Sequence, residues 1–292
     1  MYQLCNKNIQ IKINKTGAEL SSIVSLINNK EYLWRGDANF WGGQAPVLFP
    51  FVGRLKEDTF IENGKTYHQK QHGFFRRSDA IKLIEATDTK LTFSIQHSAE
   101  TLAVYPYEFE FKTSYELIEN KIKIEHTVIN LGDKTMYFSI GEHPAFNCSL
   151  RNPNESYENC SLEFEQPETD VTWNISEEGL LDGTTREFLN QTKILDLDKS
   201  TFDRDALVFK KLTSNKVTLS NREEGPLITV EFVDFPFLGI WSKPNAPFVC
   251  IEPWQGYADS VHSSQKIEEK EAINSLKAGK KHIATYSIEI HS

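Results

Sequence analysis

The chain has 292 residues, with 32 Lys and Arg against 41 Asp and Glu and a formal net charge of −9. No basic cluster exceeds the Arg76-Arg77 pair and the short tract 277–281, which excludes the cationic footprint of a nucleic-acid-binding protein. The longest apolar runs, 45–52 and 246–251, contain prolines and fall far short of the ~20 residues of a membrane-spanning helix, while 19 Phe, 10 Tyr and 5 Trp supply a large core and exclude disorder as the main state.

In chain order, the N-terminus has no basic stretch followed by an apolar one, so no secretory signal is read and a cytoplasmic protein is expected. A first strand is predicted at 9–13 and others at 81–85 and 91–96. The segment 108–117 alternates Phe109, Phe111, Tyr115 and Leu117 with charged or small residues. The segment 121–128 carries Ile122, Ile124 and Val128 on one face, with His126 on that face as a structural residue. In 135–140, Met136, Phe138 and Ile140 share a side. Alternation of this kind marks strands with one buried face.

The stretch 151–200 is polar and reads as a loop-rich excursion, apart from a strand at 160–164. Further strands are predicted at 206–210, 227–232, 248–252 and 286–290. Turn residues separate them at Glu119-Asn120, 130–133 and 221–225. Helical periodicity is nearly absent; only 265–271 resembles a turn or two. With no βαβ rhythm, the pattern implies an all-β protein of antiparallel sheets packed face to face, read as one domain over 1–292. Cys5, Cys148, Cys160 and Cys250 are widely spaced, with no CxxC, and read as reduced, mostly buried thiols.

Four segments break the alternation. In Phe49-Pro50-Phe51-Val52-Gly53-Arg54, an Arg follows a Pro- and Gly-containing apolar run; it either forks onto ligand oxygens or satisfies loop carbonyls. His72 sits in Gln71-His72-Gly73-Phe74. His143 lies between Gly141 and Pro144 at a strand end, where Pro stops the ladder. Glu252 ends the apolar run Val249-Cys250-Ile251 and is followed by Pro253 and Trp254. A carboxylate there is expected to be partly desolvated and strengthened as a base, with the adjacent indole suited to the apolar face of a sugar; the alternatives are a strand-end Glu in solvent or in a salt bridge and, for either His, a buried imidazole bonded to a carbonyl. Two His and a Glu also invite a metal, but no H-x-H, HExxH or His/Cys cluster is present. There is likewise no GxSxG elbow and no phosphate-binding glycine loop.

The ordered set Phe49-Pro50…Gly53-Arg54, His72-Gly73-Phe74, His143-Pro144-Ala145-Phe146-Asn147, Asp205-Ala206-Leu207-Val208-Phe209, Phe237-Leu238-Gly239-Ile240-Trp241 and Cys250-Ile251-Glu252-Pro253-Trp254 resembles the aldose 1-epimerase (galactose mutarotase) family, closest to its bacterial LacX-like branch. The resemblance implies a single-domain antiparallel β-supersandwich with an open cleft on its concave sheet. It implies Glu252 as catalytic base, His143 as catalytic acid, and His72, Arg54 and Asp205 (with Asp203 as competitor) as sugar ligands, with Trp254 beside them. No metal or organic cofactor is implied, because only protons and one ring bond move. The partner implied is a small-molecule sugar; oligomeric state is not read.

The resemblance has departures. Galactose mutarotases carry Thr-Asn-His-x-Tyr-Phe-Asn where this chain has Gly141-Glu142-His143-Pro144-Ala145-Phe146-Asn147. Glu142 either raises the pKa of the adjacent imidazole or faces away from it. Alternatives that remain are a sugar-binding or sensing protein without turnover, a hexose 6-phosphate mutarotase using Arg76 and Arg77, and a metal-dependent cupin-type enzyme.

Overall fold

A computed structural model describes residues 1–292. Two antiparallel sheets dominate it. The larger has nine strands, in the spatial order Leu181–Asp196, Cys160–Ile175, Lys216–Asn221, Gly225–Glu231, Lys281–Ile290, Lys121–Asn130, Phe109–Ile118, Lys90–Gln96 and Lys82–Ala86. The smaller runs Leu207–Phe209, Phe237–Trp241, Phe248–Gln255, Ile140–Glu142 and Val47–Leu48, with Ala145–Asn147 also paired to Phe248–Gln255. Three strands at the N-terminus, Tyr2–Cys5, Ile9–Ile13 and Leu20–Ser25, form a further small sheet. The fold is the all-β antiparallel supersandwich expected from the strand pattern.

The sheets pack face to face over a core cluster of 60 buried residues. Phe111, Ile124, Val128 and Ile288 of the larger sheet share this cluster with Ile240 and Ile251 of the smaller sheet. Phe49 stacks on Phe111 with ring centroids 4.3 Å apart. Non-directional burial of these alternating residues holds the layers together and fixes which face of each strand is inward.

Two sequence expectations need correction. The loop-rich excursion at 151–200 is mainly a long ribbon formed by Cys160–Ile175 and Leu181–Asp196. Its start does alternate, with Cys160, Leu162 and Phe164 turned into the core, but farther along the buried positions are the polar Glu168, Asp170 and Thr172 and Leu181–Asp196 is mostly exposed or half-exposed, so no apolar alternation marks the rest. A short helix, Ala99–Val104, also escaped notice. It is started by a capping box in which the Ser98 N–H donates to Thr101 Oγ1 at 2.8 Å and the Thr101 N–H donates to Ser98 Oγ.

The strand Phe248–Gln255 is buried along its whole length. Val249 and Ile251 belong to the sandwich core. The alternate set, Cys250, Glu252 and Trp254, therefore faces the outer side of the smaller sheet, where the cleft lies.

Candidate active site

The register of the smaller sheet builds the site. Ile140 and Gly141 pair with Gln255 and Trp254, and Ala145 to Asn147 pair with Cys250 to Phe248. The two ladders keep one register, so His143 lies opposite Glu252 in the gap between them. Pro144 and Pro253 remove donors at this point, and the Ile251 N–H donates to the Pro144 carbonyl at 3.2 Å. Cross-strand neighbours share a face, and His143 Nε2 stands 3.4 Å from Glu252 Oε2.

On its other side Glu252 pairs with Gly239. The Trp254 indole lies across that glycine: a Cβ at Gly239 would come within 2.4 Å of the ring, and one at Gly141 within 2.8 Å. These two glycines clear the floor on which the indole lies.

His72 is held by reciprocal bonds to Gly53. The His72 N–H donates to the Gly53 carbonyl at 2.9 Å, and the Gly53 N–H donates to His72 Nδ1 at 3.1 Å. With Nδ1 accepting, the neutral ring carries its proton on Nε2. The two imidazole centroids are 5.7 Å apart. Trp41 stacks on His143 at 4.7 Å, and Trp241 meets the same ring edge-on at 5.6 Å.

A cavity of about 300 Å³ is lined by His72, His143, Glu252, Trp254, Asp205 and Arg76, among others. Five of the six residues read from the sequence are thus brought together. Asp205, not Asp203, lines this cavity. Arg54 does not line it, a correction to its expected position. The chain turns at Gly53 with φ +73°, and the Arg54 guanidinium forks onto Asp58 with Nε and Nη2 each donating over 2.8 Å. Its Nη1 donates to the Glu178 carbonyl at 3.1 Å, so Arg54 braces the rim.

Arg76 is the cation of the cleft, and no protein group hydrogen-bonds or ion-pairs with its guanidinium. The sequence pointed to it only as a candidate phosphate contact. Trp41 and Trp241 were not assigned to the site. The sequence marks Trp241 only as the end of Phe237–Trp241, and Trp41 only by its neighbours Gly42 and Gly43.

Burial controls the electrostatics. Desolvation, and then the negative charge of Asp205, push the Glu252 carboxyl well above the usual carboxylate range; the Trp254 indole N–H and Arg76 oppose this. Burial, then Arg76, brings His143 down to about 3. Burial also holds His72 well below the ordinary imidazole range, with His143, Arg76 and Arg77 adding to the effect. Glu252 Oε2 is buried without a hydrogen-bond partner in the protein.

Glu142 faces away from the cleft, as neighbours on a strand do. Its Oε1 lies 2.8 Å from His126 Nε2, both side chains fully buried between the sheets. This is an ion-pair separation with off-line hydrogen-bond geometry. His126 is structural, as its strand position suggested. For metal binding, the relevant set is His143, Cys250 and Glu252, whose ligand atoms all lie within 4.8 Å of one another.

The family model for aldose 1-epimerase matches residues 1–288. The chain belongs to the aldose 1-epimerase family. It is similar to protein LacX of Lactococcus lactis subsp. lactis, with 39% identity over 283 residues and 94% of each chain covered. Among solved structures it resembles a galactose mutarotase related enzyme from Lactobacillus acidophilus, with a TM-score of 0.94, 36% identity and 100% and 97% of the two chains covered. It also resembles a galactose mutarotase-like protein from Lactobacillus casei, with a TM-score of 0.91, 30% identity and both chains covered fully. Membership identifies a mutarotase-type isomerase.

Proposed function

We propose that this protein interconverts the α and β anomers of an aldohexose, with His143 and Glu252 as the proton-transfer pair. The observation that carries the reading is the buried imidazole facing a buried carboxylate at 3.4 Å in a cavity large enough for a monosaccharide and walled by indoles. A binding protein has no need of a matched acid and base.

In the empty cleft desolvation disfavours both charges, so the pair holds one proton on Glu252 and the imidazole is neutral. Sugar hydroxyls entering beside Arg76 supply the hydrogen bonds a carboxylate requires, and the proton crosses to His143. Glu252 then accepts the proton of the anomeric hydroxyl O1, while His143 donates its proton to the ring oxygen O5. The C1–O5 bond breaks and its electron pair goes to O5, giving the open-chain aldehyde. Rotation about C1–C2 presents the other carbonyl face. O5 re-adds, His143 takes back the O5 proton and Glu252 returns one to O1. The neutral His72 presents its Nε2–H, and Asp205 its carboxylate, to other sugar oxygens.

The test is polarimetry of freshly dissolved α-D-glucose and α-D-galactose with the wild type and His143→Asn. General acid–base groups are worth ~10²–10⁴ in rate, so the variant should lose at least that lower factor while calorimetry still detects sugar. Sugar binding by the wild type without acceleration of any anomer would favour a sensing role. The free guanidinium of Arg76 supports one second reading, a 6-phosphorylated aldose as substrate. Including the two 6-phosphates in the same assay separates it from the first.

A further inference from the structure

We propose that His143, Cys250 and Glu252 form a binding site for a borderline-soft divalent cation, zinc above all, and that its occupancy shuts off the sugar cleft. Two independent observations point there. The first is the donor set: an imidazole nitrogen, a thiol sulfur and a carboxylate oxygen, all within 4.8 Å of one another. The second is Glu252 Oε2, an acceptor on a side chain 1% exposed that receives no hydrogen bond from the protein.

The sheet presents the three ligands on one face. Cys250 and Glu252 are two residues apart on one strand, and His143 lies opposite Glu252 on the next. Zinc bonds of about 2.0–2.3 Å in tetrahedral array set ligand atoms roughly 3.3–3.6 Å apart. The His143–Glu252 separation of 3.4 Å already meets that spacing. No separation exceeds 4.8 Å, so the sulfur closes in by up to roughly 1 Å, within reach of side-chain rotation. The thiol gives up its proton on ligation, as coordinating thiols do. Two of the three ligands, His143 and Glu252, line the cleft.

Nitrogen, sulfur and oxygen donors together suit zinc or cobalt, whereas magnesium and calcium require oxygen. A bound ion takes the place of the proton shared by His143 and Glu252. It therefore competes with sugar, and this inhibitory consequence rests on the proposed isomerase reading; binding itself does not.

The experiment uses a Cys5→Ser background, so that the exposed thiol makes no contribution. Titration with Co²⁺ should produce a thiolate-to-cobalt charge-transfer band saturating at one ion per chain, and sugar should diminish it. Calorimetry with Zn²⁺ should give the same stoichiometry. Losing even an outer partner of a metal ligand costs about 10–100-fold in affinity, so Cys250→Ser should lose at least that much. In polarimetry Zn²⁺ should inhibit competitively with sugar and EDTA should reverse it. Relative to its own metal-free rate, Cys250→Ser should be inhibited by Zn²⁺ far less than the wild type is.

Absence of the cobalt band, or equal zinc affinity in Cys250→Ser, would overturn the site. If Cys250→Ser misfolds by circular dichroism, Cys250→Ala and the band itself decide. If no sugar is isomerised at all, the band and the calorimetry still decide the metal site, and only its inhibitory role falls.

Discussion

Replacing Glu252 by Gln should make the protein more stable and nearly inactive at once. The carboxyl is 1% exposed, lies beside the charge of Asp205, and leaves Oε2 without a partner. A buried polar atom left unpaired costs about 1–3 kcal/mol, and Arg76 and the Trp254 indole N–H offset part of this for the carboxylate. The neutral amide escapes the charge-dependent part, so a gain of about 1 kcal/mol is expected at pH 7.5. For a chain of this length that is about 2 °C in Tm.

The sign depends on pH. A carboxyl whose folded-state pKa lies above its unfolded value holds its proton more tightly when folded. Its contribution is intact below the unfolded value of about 4.3 and is lost as pH rises through the folded one. The Tm advantage of Glu252→Gln should therefore be small near pH 4 and widen toward pH 8. Scanning calorimetry across that range measures it, and polarimetry of the same samples should show turnover reduced ~10²–10⁴-fold. A variant less stable than wild type at pH 7.5, or an advantage that does not change with pH, would refute the assignment of Glu252 as a desolvated, proton-holding group.

Because burial holds His143 at about 3, a second proton enters the pair only in strong acid; the acidic limb of kcat/KM should lie well below the ordinary histidine range, and a limb near pH ~6.5 would show that the free imidazole titrates normally. Arg76→Ala should raise KM for the sugar at least roughly tenfold, a loss of about 1.4 kcal/mol. Arg54→Ala, which removes a half-exposed ion pair with Asp58 and an exposed hydrogen bond to the Glu178 carbonyl, should cost less than about 1 kcal/mol of stability and leave KM close to wild type; kinetics and thermal melts on both variants check this. Gly239→Ala puts a methyl 2.4 Å from the Trp254 ring; overpacking of about 1–3 kcal/mol and a changed near-ultraviolet circular dichroism signal from the displaced indole are expected, and an unchanged spectrum with unchanged Tm would contradict the tight floor.

The sandwich strands were legible where one face is buried and the other is not. Lys121–Asn130 alternates buried and half-buried residues along its whole length, which is the pattern its sequence carries. The ribbon of Cys160–Ile175 and Leu181–Asp196 is anchored in the core only by Cys160, Leu162, Phe164 and Leu189; beyond them it is held by ladder hydrogen bonds and by the inward Glu168 and Asp170 carboxylates accepting from N–H groups within 210–214, which no apolar alternation records. At the site, His143 and Glu252 stood out because proline interrupts both strands beside them. Arg54 and Arg76 could not be ranked by sequence. Each follows an apolar, glycine-containing segment, and only the tertiary turn at Gly53 sends one to the rim with Asp58 while the other lines the cleft. Trp41 reaches His143 from a distant loop, a contact no local pattern encodes.

The strand Phe248–Gln255 divides its residues between two duties. Val249 and Ile251 lock the register from inside the sandwich, while Cys250, Glu252 and Trp254 line the cleft side. A slip of one residue would exchange the two sets completely, so the interior pair guards the alignment of the reactive groups whatever those groups are. A change at a cleft-side position leaves the interior pair that sets the register untouched. Such a strand can be rewritten for a different sugar, or stripped of its chemistry and kept as a receptor, by substitutions at alternate positions alone, which makes this sheet a ready substrate for divergence.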